Sequence, residues 1–128
     1  MTTASGAGRD GRLRGRVALV TGAASGIGAG IAEAYAREGA DLALVDLVDE
    51  TAAGTVLDAV RRHGGRVTFH QADVSSEDAV RSMAEAAVAA HGRVDVLVNN
   101  AGIFTQSLLE DMPVADWDRV LAVNLRGT

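Results

Sequence analysis

The feature that most restricts the fold of this chain is a turn, Thr21-Gly22-Ala23-Ala24-Ser25-Gly26-Ile27-Gly28, set directly after a short apolar run. Val17-Ala18-Leu19-Val20 reads as a buried strand. From Gly26 the period changes, and Ile27, Ile31, Ala34 and Tyr35 share one helical face until Gly39 stops the helix. Glycine at 22 permits a tight turn, and glycines at 26 and 28 leave no β-carbon between backbone and ligand. The N–H groups that open the helix then face an anion, and a pyrophosphate is an anion of that kind. The competing reading is a glycine-rich turn that binds nothing. The position between a strand and a helix weighs against it.

The same alternation continues downstream. Leu42 to Val45 reads as a second strand closed by Asp46, and Ala53, Val56, Leu57 and Val60 repeat at helical spacing up to Gly64-Gly65. Val67 to His70 forms a third strand closed by Asp73. Ser75 is placed to cap a helix with Val80, Met83, Ala84, Ala87 and Val88 on one face, ended by Gly92. Val94 to Val98 is a fourth strand, running into Asn99-Asn100-Ala101-Gly102. A last helix starts near Pro113, with Trp117, Val120, Leu121 and Asn124 in register. Apolar strands alternating with amphipathic helices predict a parallel sheet covered on both faces by right-handed crossovers.

Asp46 stands 18 residues beyond Gly28, at the carboxyl end of the second strand, where an acid accepts hydrogen bonds from ribose hydroxyls. Its charge would repel a 2′-phosphate, and no Arg or Lys follows in Leu47-Val48, so NAD is expected over NADP. The alternative is that Asp46 caps the next helix, a task for which Asp49 is better placed.

Composition removes other classes. A formal net charge of −5 and no extended basic cluster argue against nucleic acid as a partner. All 12 basic residues are arginine, so a P-loop lysine cannot exist here. There is no cysteine, which excludes disulfides and thiolate metal sites, and the three histidines are not spaced as metal ligands. The apolar runs are strand-sized, so no membrane span is expected, and the start lacks a signal-peptide core; a cytoplasmic protein is expected. Residues 1–12 are read as a flexible tail.

The spacing of Gly22, Gly26 and Gly28, the Asn99-Asn100-Ala101-Gly102 element after the fourth strand, and Trp117 with Val123-Asn124 together resemble the classical short-chain dehydrogenase/reductase family. The resemblance runs from Leu13 to Thr128. It implies a Rossmann-type, doubly wound α/β fold, present as its first four strands in the order 3-2-1-4. Residues 13–128 would then be a partial dinucleotide-binding domain, truncated within the helix carrying Asn124. It implies that Ser25 and Ile27 line the phosphate and nicotinamide side of the turn, that Asp73 and Val74 meet the adenine, and that Asn99 and Gly102 lie beside the nicotinamide ribose. Ala101 is counted with them, although it and Asn100 are equally suited to tying the fourth strand to its neighbours. Asn124 matches the Asn of the family's catalytic Asn-Ser-Tyr-Lys tetrad. Read without the family, Asn124 is a polar amide in an apolar stripe that needs partners, or a helix-end residue satisfied near Gly127.

The family's tyrosine and lysine have no match here. The only tyrosine is Tyr35, on the apolar face of the first helix, and lysine is absent. The expectation is an NAD-dependent oxidoreductase of alcohols or ketones whose 128 residues alone turn nothing over. A non-catalytic NAD-binding or interaction module is the alternative. A methyltransferase would share the glycine turn and the ribose acid, but the Asn99–Gly102 element argues against it. An unpaired fourth-strand edge, with Trp117 and Leu121 uncovered, suggests pairing with a second copy or with a full-length chain.

Overall fold

The computed structural model describes residues 11–128. Most of the expected tail therefore lies outside the described residues. Gly11 and Arg12 do not: they lie against the end of the first helix, where the Arg12 N–H donates to Glu38 Oε2 at 2.9 Å and the Leu13 N–H to the Glu38 carbonyl at 2.9 Å.

Four parallel strands form one sheet: β1 (Val17–Thr21), β2 (Asp41–Asp46), β3 (Val67–Gln71) and β4 (Val96–Val98), in the order β3-β2-β1-β4. The helices α1 (Gly26–Arg37), α2 (Gly54–Arg61) and α3 (Glu77–His91) supply the crossovers, and α4 (Val114–Leu121) follows β4. Both the topology and the class are those predicted.

The pleat sorts the apolar runs onto two faces. On one, Ala18 and Val20 of β1 and Leu42 and Leu44 of β2 pack under Ala32 and Ala36 of α1 and Leu57 and Val60 of α2. On the other, Leu19, Ala43 and Val45 meet Met83 and Ala87 of α3. Because β1 and β2 bury both faces, their residues read as unbroken apolar runs without alternation. Tyr35 packs against the first of these clusters.

The structure departs from expectation in three places. Ser76, not Ser75, caps α3, its hydroxyl accepting from the Ala79 N–H at 3.3 Å, while the Ser75 hydroxyl turns back to Asp73. Only Met83 and Ala87 of α3 are buried; Ala84 and Val88 face solvent, so the apolar stripe of α3 is narrower than its periodicity suggested. The fourth strand is three residues long; just before it, Asp95 donates its N–H to the Val17 carbonyl at 2.8 Å and accepts the Val17 N–H on its carboxylate at 2.8 Å, so a side chain takes the place of a ladder carbonyl.

No helix among the described residues is long and apolar enough to cross a membrane, and no cluster of His, Cys, Asp and Glu among them could hold a metal ion.

Candidate functional site

In a parallel sheet all strands end on the same edge, and the crevice outside those carboxyl ends is where open α/β sheets bind ligands. Thr21, Asp46, Gln71 and Val98 end the four strands here. A cleft of about 410 Å³ opens beyond them. It is lined by Gly22, Ser25, Gly26 and Ile27 of the turn, Val45 to Leu47 at the end of β2, Ala72 and Val74 after β3, Asn100 to Ile103 after β4, and Val123.

The three glycines of the turn do different work. Gly22 has φ +66°, and a β-carbon there would lie 2.8 Å from Asn100 Nδ2 and 2.9 Å from Ala101 Cα. Gly28 is buried, and a β-carbon on it would overlap the Gly22 carbonyl. It therefore lets α1 pack onto the turn; the expectation that it clears space for a ligand is corrected. Gly26 has φ +56°, with nothing near the position of a β-carbon. Ser25 is an extended N-cap whose side chain makes no capping bond, and the first bond into α1 runs from the Ala29 N–H to the Ser25 carbonyl at 3.2 Å. The amides at the start of α1 consequently point out of the helix beside the cleft.

Asp46 closes over this turn. Its Oδ2 accepts the Ala24 N–H at 2.9 Å and its Oδ1 the Val48 N–H at 3.3 Å. Two of the roughly four acceptor positions of a carboxylate are thus used, and the rest remain for a ligand. Asp46 caps no helix, and neither does Asp49, the residue better placed for it: Asp49 accepts the Ala52 N–H at 2.8 Å in the turn before α2, whose N-cap, Ala53, makes no side-chain bond.

The Asn99–Gly102 element is built around Thr21. The Thr21 hydroxyl accepts from the N–H of Asn100 at 3.1 Å and of Ala101 at 3.0 Å, and donates to the Val98 carbonyl at 3.4 Å. Asn100 Nδ2 donates to the carbonyls of Thr21 at 3.1 Å and Gly22 at 3.2 Å. Asn100 therefore ties β4 to the glycine turn, while Ala101 does so through its backbone and also lines the cleft. Asn99 is exposed and does not line it.

Asn124 finds both its partners on a single residue. Its Oδ1 accepts the Ile103 N–H at 2.8 Å and its Nδ2 donates to the Ile103 carbonyl at 2.7 Å. The chain around it, Ala122–Arg126, is π-helical, an irregularity that recurs at functional sites. Asn124 is exposed, so it does not lie in a buried stripe; Trp117 beside it is 51% exposed. Gly127 offers the Asn124 amide nothing, since its N–H goes to the Ala122 carbonyl.

Asp73 is half-buried, and its Oδ1 takes both the Ser75 hydroxyl at 2.6 Å and the Ser75 N–H at 2.9 Å. These two bonds, aided by the charge of Arg119, hold its carboxyl below the usual carboxylate range. Its neighbours Ala72 and Val74 line the cleft, whereas Asp73 does not. Val45, Leu47, Ala72 and Ile103 were missed by the motifs, and Val123 stood in one without a role in the cleft. Each lies next in sequence to a residue singled out for the site, and that adjacency was the available signal.

Comparison with known proteins agrees with this geometry. A family model described as short chain dehydrogenase matches residues 16–128. D-threitol dehydrogenase of Mycolicibacterium smegmatis is 47% identical over 119 residues, covering 93% of this chain and 45% of that protein. A 3-oxoacyl-[acyl-carrier-protein] reductase of Thermotoga maritima is 42% identical, covering 91% of this chain and 47% of that protein. Among solved structures, an NAD+-bound xylitol dehydrogenase superposes with a TM-score of 0.85 at 36% identity, covering 91% of this chain and 45% of that one. A short chain dehydrogenase from Mycobacterium smegmatis gives 0.84 at 43% identity, covering 92% of this chain and 50% of that one. The chain thus spans less than half the length of these curated relatives.

Proposed function

We propose, from the premise that this chain belongs to the short-chain dehydrogenase family, that its cleft holds NAD and serves hydride transfer between the nicotinamide and an alcohol or ketone. The observation that carries the reading is the bond from the Ala24 N–H to the Asp46 carboxylate, which sets the acid and the glycine turn on one cleft. The open amides at the start of α1 suit a pyrophosphate, and the bare, positive-φ backbone at Gly26 gives it room. Asp46 has acceptor capacity left for the ribose hydroxyls. A 2′-phosphate would meet that charge, and no arginine among the described residues lines the cleft to offset it, so NAD is favoured over NADP.

In this reading Ser25, Gly26 and Ile27 face the diphosphate, Gly28 offers it no more than its N–H at the helix start, and Gly22 sets the turn. Ala72, Val74 and Val123 form an apolar seat for the adenine, with Asp73 at its edge. Ala101 and Gly102 lie beside the nicotinamide ribose, with Asn99 outside the cleft wall at that end. Asn124 fixes the Ile103 backbone and with it the loop that leaves β4 at the reacting end of the cleft. Bound NAD would supply hydride acceptance and donation at ring C4.

The names of D-threitol and xylitol dehydrogenase point to a small polyol or the corresponding ketone as the substrate class. Proton transfer is assigned to groups outside these 128 residues, because Tyr35 packs into the core and lysine is absent. The 128 residues are accordingly expected to bind the cofactor without turnover.

Calorimetric titration tests the proposal. The protein should bind NADH, and Asp46→Ala should weaken it by about 1.5–3 kcal/mol, the usual worth of hydrogen bonds to a charged group. Discrimination against NADPH should fall in the same variant. Equal NADH affinity in wild type and variant removes Asp46 from the site.

A further inference from the structure

The peptide that follows Asp46 is held from outside the cleft. Gln71, the last residue of β3, pairs in register with Asp46, and the Ala72 N–H donates to the Asp46 carbonyl at 2.9 Å. The Gln71 side chain then reaches one residue further, its Nε2 donating to the Leu47 carbonyl at 2.9 Å. Leu47 lines the cleft, yet it is 46% exposed, so side-chain packing alone does little to hold it. Gln71 itself does not line the cleft. Residues 46–48 are thus fixed at three points: the carboxylate of Asp46 on Ala24 and Val48, its carbonyl on Ala72, and the carbonyl of Leu47 on Gln71.

We propose that Gln71 is a positioning residue for the adenosine end of the cofactor, acting through the Leu47 peptide. The inference rests on the nicotinamide-cofactor reading and adds to it the residue that sets the shape of the adenosine subsite. Without the Gln71 amide, the Leu47 carbonyl loses this anchor, and its peptide keeps only the 3.3 Å bond from the Val48 N–H to Asp46 Oδ1. The apolar flank that Leu47 gives the adenosine then loosens, and with it the Asp46 oxygen that Val48 holds, while the other oxygen stays on the Ala24 N–H. The start of α1, which faces the diphosphate, shares no bond with Gln71. The effect is therefore confined to the adenosine half of the ligand. A glutamine that only supported the edge strand would instead lower stability and weaken both halves alike.

Gln71→Met keeps the length of the side chain and removes its donor; Gln71→Glu keeps its shape and sets a carboxylate against the Leu47 carbonyl. Titration of each with NADH, AMP and nicotinamide mononucleotide separates the two halves. NADH and AMP should weaken about threefold to tenfold in Gln71→Met, the span of one neutral hydrogen bond, and further in Gln71→Glu. Nicotinamide mononucleotide should bind unchanged, the NADH-to-NADPH preference should narrow, and the thermal midpoint should stay in place. Equal weakening of AMP and nicotinamide mononucleotide, or unchanged NADH binding in both variants, overturns the role of Gln71 and leaves the cofactor reading intact. No binding of NADH to the wild-type protein overturns the cofactor reading, and this inference with it.

Discussion

The middle of the sheet and its β4 edge are held by different physics. β1 and β2 lie inside it, covered on both faces, and Val20, Leu42 and Leu44 are no more than 1% exposed. β4, at the edge beyond β1, is three residues long, and Leu97 within it is 55% exposed. Burial of apolar surface fixes the first region. The second is held by directional bonds: Thr21 on Asn100 and Ala101, Asn124 on Ile103, and the Arg126 guanidinium on the Ser75 carbonyl at 3.2 Å. The cleft lies across the join. A buried scaffold presents the turn and Asp46, while a polar-clamped segment closes the other wall.

That contrast breaks most visibly in the core. Leu44→Ala should cost about 2–5 kcal/mol, because the surrounding sheet and helices cannot collapse onto the cavity. Leu97→Ala should stay within about 0.5 kcal/mol of wild type. Urea denaturation midpoints compare the two, and similar losses would erase the distinction between the regions.

The clamps give the next effect in size. Asn124→Ala removes two neutral hydrogen bonds worth about 0.5–1.5 kcal/mol each in general, and solvent at this exposed site replaces part of that. The sharper readout is local. The Ile103 amide should exchange with solvent much faster in the variant, while amides of β2 keep their protection. Loss of protection across the whole sheet would mean that the segment after β4 is part of the core.

Protonation sharpens the comparison at the opposite edge. His91, at the end of α3, shares a 2.8 Å hydrogen bond with the Thr68 hydroxyl through Nε2, and its Nδ1 is buried without a partner. Burial pushes its pKa below the ordinary value of 6.5, against the pull of Asp41 and with the help of Arg66. The unfolded chain therefore takes up the proton first. The stability that neutral His91 contributes is present above pH 6.5 and is lost as pH falls through the folded-state value. His91→Gln should flatten the pH dependence of the thermal midpoint in that window, and an unchanged profile would remove His91 as its source.

Asp95 acts at lower pH. The Val17 N–H and then the Arg93 guanidinium hold its carboxyl below the ordinary 3.8. Its contribution is present above pH 3.8 and disappears as pH falls through the folded-state value, and Asp95→Asn should remove that part of the acid unfolding curve. An acid unfolding curve unaltered by the substitution would exclude Asp95.

How legible each part was in the sequence follows the same division. The apolar runs of β1 and β2 report burial directly, so their existence, order and two-sided covering could be read from residue type. The role of Gly28 could not, because the Gly22 carbonyl that it accommodates is brought there only by the folded turn. Ser75 and Ser76 are equivalent by capping preference; the nearby Asp73 takes Ser75 and leaves the cap to Ser76. The partner of Asn124 lies 21 residues back, at a distance that no helical period encodes. The exposure of Ala84 and Val88 likewise depends on how far α3 lies from the sheet.

The most direct test of the account is amide chemical-shift mapping of the protein titrated with NAD+. The account predicts shifts concentrated at Ala24 and Gly26 to Gly28, where the diphosphate meets the helix start, and at Leu47 and Val48, where the ribose meets Asp46. Binding that leaves those amides unmoved, or no binding at all, would contradict it.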